Sequence, residues 1–405
     1  MSGHAPSPAG PVLVLNAGSS SLKFAVFADG VSSARTATGV IERIGSPAAT
    51  FTLRDMAGGP EERLGLPAPD HVSALAALLA RSADLAGFRA VGHRVVHGGP
   101  HYREPQRIDA AMLAGLRRIQ SFDPEHLPAE LALMEFLAAK FPQVPQVACF
   151  DTAFHGSLPR VATVLPLPRR YEAQGVRRYG FHGLSYAFLL QELERLAGRP
   201  AAQGRVILAH LGNGASLAAV HQGQSVDTTM AFTPAAGLVM GTRSGDMDPG
   251  LVSFLARSEQ LTAAQFDRMM NHESGLLGIS ETSADMRDLL EREAGDVRAA
   301  EAVAVFCQQV KKGLGAYAAV LGGLDTLVFA GGIGEHAAPV RARICAGLGF
   351  LGLALDETRN AAHAPVISTA ASRVTVRVIR TDEELMIARS VSQVLGPSAG
   401  PESQS

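Results

Sequence analysis

Residues 12–27 read VLVLNAGSSSLKFAVF, and residues 206–220 read VILAHLGNGASLAAV. In the first stretch, residues 12–15 form an all-apolar, β-branched-rich run that ends at Asn16-Ala17-Gly18-Ser19-Ser20-Ser21. Leu22, Phe24 and Val26 then alternate with Lys23, Ala25 and Phe27, which spells a second strand and makes the pair a hairpin with a Gly/Ser turn. The second stretch repeats the pattern around His210, Leu211, Gly212, Asn213 and Gly214. Val12 and Gly18 pair with Val206 and Gly212 at one common offset of 194, nearly half of the 405 residues. A solenoid repeats every 20–50 residues or so, so the reading is an internal duplication, with a coincidence of two hairpins as its alternative.

Working outward, apolar residues at helical spacing predict helices over residues 72–85, 131–141 and 301–321, the last carrying Val303, Phe306, Val310, Leu314 and Tyr317. Strands are expected at residues 90–96, 146–150, 326–329 and 374–379. Strands alternating with helices indicate an α/β architecture. The Gly- and Pro-bearing residues 233–250 read as a long loop, and loops beyond about 12–15 residues are usually functional or mobile.

Composition narrows the function classes. Lys+Arg number 36 against 38 Asp+Glu, which argues against a general nucleic-acid or basic membrane surface. With 47% hydrophobic and 18% charged residues the chain is expected to fold. Cys149, Cys307 and Cys345 share no metal-ligand spacing and read as buried thiols in a reducing cytoplasm. The apolar run after the first eleven residues is too short for a signal peptide, and no stretch approaches the ~18 apolar residues of a membrane span. Both termini read as loose tails.

Several motifs could carry chemistry. The Gly18–Ser21 turn, with Lys23 beyond it, suits an anion as well as it suits an ordinary hairpin. Gly331-Gly332-Ile333-Gly334-Glu335 follows an apolar run without completing G-x-G-x-x-G, and no G-x-x-x-x-G-K-[ST] occurs, so dehydrogenase and P-loop readings are poor. Arg94 and Arg243 lie in apolar, Gly-rich company, where a guanidinium needs an anion: a structural ion pair or a substrate carboxylate or phosphate. Asp151 follows an apolar strand, where it reads equally as a ligand group or a helix cap. Thr381 and Glu384 fit the capping-box spacing, which leaves Glu383 for a metal or for the helix dipole. His93, His97, His101, His126, His155, His182 and His210 form no H-E-x-x-H site, so a zinc enzyme is not expected.

The motifs LVLNAGSSSLKF, VGHRVVHGG, FDTAFH, YGFHGLSY, HLGNGASL, FTPAAGLVMGTRSGDMDPG, AGGIGEH and RTDEELMIAR follow one another as they do in acetate kinases. Over residues 12–395 the chain resembles that family, part of the actin/sugar-kinase/heat-shock ATPase superfamily. The resemblance implies a duplicated two-domain, actin-like (ribonuclease H-like) α/β fold with the active site in the interdomain cleft. Its first domain would be residues 1–151 completed by 382–405, and its second, nucleotide-binding domain residues 152–381. The implied reaction is Mg2+-dependent (or Mn2+-dependent) reversible transfer of the ATP γ-phosphoryl group to acetate, giving acetyl phosphate and ADP, in a cytoplasmic homodimer.

By position, the resemblance makes Asn16 and Glu383 the magnesium-associated residues and Lys23 the lysine near the nucleotide phosphates. Arg94 becomes the substrate arginine, and Asp151 the catalytic aspartate, read here as positioning metal or water before acting as a base. His182 and Arg243 become the transition-state stabilisers, with Val96, Phe181 and Pro234 around the acetate methyl. His210, Leu211, Gly212, Asn213 and Gly214 match a phosphate loop. Asp285, Met286 and Arg287, with Gly332, Ile333, Gly334, Glu335 and His336, match the adenosine side. Glu125 stands where the family commonly has leucine, Met286 where it has an aromatic, and His336 where it has asparagine. Propionate or butyrate kinase is the alternative within the chemistry, and a nucleotide-switched binding protein the alternative outside it.

Overall fold

The computed structural model describes residues 10–28, 34–56, 58–59, 61–81 and 87–396. Residues 1–9 and 397–405 of the expected tails, and Leu85 of the first expected helix, lie outside them. The chain divides into two compact units, Met1–Ala153 with Asp382–Ser405, and Phe154–Thr381.

In the first unit the opening hairpin forms as β1 (Val12–Ala17) and β2 (Ser21–Phe27), antiparallel, with Asn16 opposite Lys23. The sheet continues with β3 (Arg35–Glu42), β4 (Thr50–Asp55), β5 (Glu62–Gly65), β6 (Ala90–Val95), β7 (Gln106–Arg107) and β8 (Gln146–Phe150). Its order is β5-β4-β3-β2-β1-β6-β8-β7, with β1, β6 and β8 mutually parallel. These central strands are covered on both faces, hence their continuous apolar runs. Helices His71–Arg81 and Leu127–Lys140 cover the sheet together with Glu383–Leu395. Gly92 of β6 lets that last helix approach: a Cβ there would stand 2.5 Å from Ile387 Cγ2 and 2.7 Å from Val391 Cγ2.

The second unit holds β9 (Val206–Leu211), β10 (Ala215–His221), β11 (Gln224–Thr228), β12 (Thr326–Ala330) and β13 (Thr375–Val378), ordered β11-β10-β9-β12-β13. β9 pairs antiparallel with β10 and parallel with β12, which is parallel to β13. This repeats β3-β2-β1-β6-β8, and β9 and β10 begin and end 194 residues after β1 and β2. The hairpin offset read from sequence is therefore a duplication of the sheet. The long helix spans Val297–Val320, starting earlier than expected because the Asp296 side chain accepts from Arg298 N and Ala299 N.

The expected capping box before the last helix is overturned. Asp382 is the N-cap, accepting from Leu385 N at 2.9 Å, while Thr381 N donates to Glu335 Oε1 at 3.2 Å. Glu384 instead lies 3.9 Å from Arg35, which also pairs with Asp382. Among the described residues no helix is long and apolar enough to cross a membrane.

Candidate active site

In the first unit, the C-terminal ends of β1, β6 and β8 bring Asn16, Arg94 and Asp151 to one edge of the sheet. Arg94 Nε and Nη2 donate to Asp151 Oδ2 at 2.9 and 2.6 Å, and Nη1 donates to Ala17 O at 3.1 Å. Asn16 Nδ2 donates to Glu383 Oε2 at 3.2 Å, at the first turn of the last helix. Lys23 faces Asn16 across the hairpin, on the same face of the sheet. The Gly18 N–H closes the turn on Ser21 O at 2.8 Å, so that donor is spent within the hairpin. Burial opposes the Arg94 charge, but Asp151, Glu130 and Glu383 outweigh it and hold the guanidinium more firmly protonated than an ordinary arginine. Burial also raises the Glu383 pKa, against the attraction of Arg94 and Lys23.

Val96 is buried, and its N–H donates to both carboxylate oxygens of Glu130 at 3.1 and 3.0 Å. Glu130 is 2% exposed, and burial pushes its pKa up to about 8. Glu125, which stands where the family commonly has leucine, is half-buried. The buried carboxylate of this helix is Glu130. Sequence inspection does not single it out, because an acid in the first turn of a helix reads as an ordinary dipole partner.

In the second unit, His182 is the N-cap of helix Gly183–Ala197 in the left-handed conformation, φ 58°. A histidine held there is strained unless its surroundings fix it. Its Nδ1 is 2.8 Å from Ser216 Oγ, which lies 2.5 Å from Tyr186 Oη. Burial raises the Tyr186 pKa, so the phenol keeps a proton, and the His210 backbone also contacts its oxygen as a donor. A chain of donation from Tyr186 to Ser216 to His182 Nδ1 would leave the imidazole proton on Nε2. The His182 ring stacks on that of His210, centroids 4.2 Å apart, and His210 Nδ1 is 2.8 Å from Ser185 Oγ.

The Nε2 edge of the imidazole faces Gly214. A Cβ on Gly214 would stand 3.2 Å from His182 Nε2 and 3.6 Å from Arg243 Nη1, so the two side chains converge over that glycine. Arg243 Nη1 donates to Pro234 O at 3.3 Å, within the segment expected as a long loop. Phe181 is fully buried.

A cavity of about 690 Å3 opens beside this cluster. It is lined by Gly212 and Asn213, by Asp285, Met286 and Arg287, and by Gly332, Ile333 and His336, which gathers three separate sequence segments. Asp285 caps helix Met286–Arg292 and pairs with Arg287 at 2.5 Å, while Met286 is 3% exposed. The remaining candidates of these segments serve the structure around the cavity. Glu335 Oε1 accepts from Gly331 N and Thr381 N, the Gly334 carbonyl accepts from buried Arg341, and Leu211 is buried in β9. His210 is placed by Ser185 rather than on the cavity wall.

Comparison with known proteins places this duplicated fold. The acetokinase family model matches residues 11–389. The chain belongs to the acetokinase family. It is 44% identical to an acetate kinase of Rhodopseudomonas palustris over 389 residues, 94% of this chain and 97% of the relative. It is 43% identical to a propionate kinase of Citrobacter rodentium over 391 residues, covering 95% and 96%. The crystal structure of Porphyromonas gingivalis acetate kinase matches with a TM-score of 0.86 at 36% identity, over 96% of this chain and 100% of that one. A propionate kinase structure from Francisella tularensis matches at 0.87 and 35% identity, covering 94% and 98%.

As an acetokinase, the protein is an α/β, actin-like kinase that phosphorylates the carboxyl group of a short-chain acid with ATP as co-substrate. Within the acetokinase scaffold, the residues that sequence inspection missed are Glu130, Ser185, Tyr186 and Ser216. Tyr186 and Ser185 were legible only as parts of YGFHGLSY, because hydroxyls in a helix give no sign of which ring nitrogen they will meet.

Proposed function

We propose that this acetokinase is an acetate kinase, transferring the γ-phosphoryl group of ATP directly and reversibly to acetate, with acetyl phosphate and ADP as products. The observation that carries this reading is the convergence of His182 Nε2 and Arg243 Nη1 over Gly214. Phosphoryl transfer needs alignment and neutralisation of the equatorial oxygens more than covalent help from the protein. Nε2–H and a guanidinium donor aimed at one point supply that field. Arg94, anchored by Asp151, holds the acetate carboxylate on the N–H groups that Asp151 and Ala17 leave over. Acetate is ionised at neutral pH, so it needs no strong base, and Asp151 acts as the arginine's anchor. The resemblance assigns Val96, Phe181 and Pro234 to the methyl group, and the cavity around Met286 takes the adenosine.

Mg2+ fits the donor set of the first unit, and Mn2+ would fit it too. It prefers oxygen ligands, and it is usually held by one or two carboxylates together with substrate phosphates. Glu383 is a carboxylate whose charge is disfavoured by burial, so a divalent cation would stabilise its ionised form. Among the described residues no group of three or more His, Cys, Asp or Glu side chains could hold the ion. Glu383 and Asn16 would therefore share it with water and phosphate, and the ion would neutralise phosphoryl charge. The same reading makes the enzyme a cytoplasmic homodimer, which sedimentation of the purified chain would check.

Trapping acyl phosphate with hydroxylamine, with ATP and Mg2+ and either acetate, propionate or butyrate, tests the proposal. Acetate should give the highest kcat/KM. One methylene is worth about 1–3 kcal/mol in an apolar pocket, so the separation from propionate should be about tenfold or more. Higher kcat/KM with propionate would make the enzyme a propionate kinase, and no trapped product with any acid would reject the phosphotransfer reading.

A further inference from the structure

The Glu130 side chain is 1% exposed and sits 3.8 Å from Arg94 Nη1, within ion-pair range. Among the described residues its hydrogen bonds come from a single donor, the Val96 N–H, which both oxygens share. One donor is thin support for a buried carboxylate charge, which ordinarily collects several. Arg94 already carries Asp151 and faces Glu383, and Asp123 adds a further carboxylate next to His126. A substrate carboxylate on Arg94 would bring another negative charge into this group.

We infer that Glu130 is a positioning residue that couples carboxylate binding at Arg94 to the uptake of one proton, so that a neutral acid flanks the bound substrate. Protonation removes the like charge beside the substrate and gives Glu130 an O–H donor, while its other oxygen still accepts from Val96. The proton comes from solvent, and no other bond changes. Burial already pushes the Glu130 pKa up to about 8, with Arg94 and the Val96 N–H opposing and Asp123 and Asp151 adding to it. Anion binding on Arg94 removes part of the opposing attraction and raises it further. The groups facing Glu130 are Arg94 of β6, Asp151 beyond β8, and Asp123 with His126 ahead of its own helix. The inference rests on the reading of Arg94 as the carboxylate site.

The test is the pH dependence of KM for acetate in the whole enzyme with ATP and Mg2+, for wild type and Glu130→Gln. Alongside it, proton uptake on acetate binding is measured by calorimetry in buffers of different ionisation enthalpy, with a non-hydrolysable ATP analogue present. Wild-type KM should be flat below about pH 8 and climb towards tenfold per pH unit above it. kcat should not share that limb, and Glu130→Gln should lose it. Uptake should approach one proton per acetate near pH 9 and vanish near pH 6.5. Acyl phosphate formed with no such limb in wild type, or with the limb kept in Glu130→Gln, overturns the inference and leaves the proposed function standing. No acyl phosphate at any pH overturns both. Should Glu130→Gln fail to fold, the wild-type proton uptake decides alone.

Discussion

Two nitrogens of Arg94, Nε and Nη2, reach the same oxygen of Asp151, at 2.9 and 2.6 Å. Concentrating both bonds on Oδ2 fixes the plane of the guanidinium from its inner edge. With Nη1 also on Ala17 O, hydrogen bonds among the described residues take three of the five N–H groups. One hydrogen remains on each of Nη1 and Nη2, the spacing that suits a carboxylate. In the proposed function Asp151 would act on the substrate through the arginine it orients.

Arg94→Ala and Arg243→Ala should each lose at least a hundredfold in turnover, from about 3 kcal/mol of lost transition-state stabilisation. Their stabilities should separate them. Arg94→Ala strands Asp151, Glu130 and Glu383 without their shared cation and should cost about 3–5 kcal/mol of folding stability. Arg243 Nη1 meets Pro234 O and Met240 Sδ, and its alanine variant should lose less stability than Arg94→Ala, which empties a cluster of buried carboxylates of its cation. Denaturant unfolding and steady-state kinetics on both variants check this; an Arg243→Ala enzyme with near-wild-type turnover would remove the arginine from the mechanism.

Ser216→Ala breaks the hydroxyl chain from Tyr186 to His182. With Nδ1 no longer committed as an acceptor, part of the imidazole shifts its proton away from Nε2. kcat should fall about tenfold, the worth of roughly 1–1.5 kcal/mol for one hydrogen bond, with little change in KM for ATP. Nitrogen NMR of the His182 ring reads the tautomer directly.

Gly214→Ala puts a methyl 3.2 Å from His182 Nε2 and 3.4 Å from its Cε1. Those neighbours can give by a few tenths of an ångström, so the variant should fold. Yet the methyl stands where His182 and Arg243 converge, and kcat should drop by more than tenfold while ATP binding, measured by calorimetry, changes little.

Removing divalent cation with EDTA should abolish turnover. Glu383→Gln should raise the Mg2+ concentration needed for half-maximal rate by tenfold or more. Glu384→Gln should leave that concentration within about twofold, because Glu384 sits towards Arg35 rather than Asn16. A Mg2+ titration in which Glu384→Gln is the impaired variant would reverse the assignment.

Stability should depend on pH in two opposing ways. Glu130 has a folded pKa of about 8, above its ordinary value. Its contribution is therefore complete below about pH 4.5 and is lost as pH rises to 8, by at most about 1.4 kcal/mol per unit. His93 and His155 are held neutral by burial, with pKa values of about 4. Their contribution is complete above about pH 6.5 and is lost as pH falls towards 4. The histidines offset Glu130 below pH 6.5, and Glu130 dominates above it. Thermal melts should show Glu130→Gln gaining on wild type between pH 6.5 and 8.5.

The hairpins were legible because their strands are covered on both faces, so their apolar runs and Gly-bearing turns stand out from the sequence around them. The expected strands appear within one residue at each end, three of them for the same reason; the fourth, Thr375–Val378, is a partly buried edge strand. The capping box misled because Thr381 has the right spacing, yet Asp382 is one residue nearer and is the stronger cap. Arg94, Asp151 and His182 were found through motifs that fix their positions in the chain. Glu130 was hidden because what makes it unusual is burial, a property of the packed helix that an acid in its first turn does not announce. Ser216 was hidden because its partner comes from another element.

The Asn16–Glu383 hydrogen bond joins residues 367 positions apart, and Gly92 is the notch that lets the helix carrying Glu383 seat on β1 and β6. A ribosome making this chain releases β1 first and must then deliver the whole of Phe154–Thr381 before the helix that completes the first sheet emerges. Until then the strands of that sheet keep an apolar face in need of cover, a natural client surface for a chaperone. Any fragment cut short before residue 383 would be unable to assemble the pair, so the proposed cation site would be complete only once synthesis has passed the last helix.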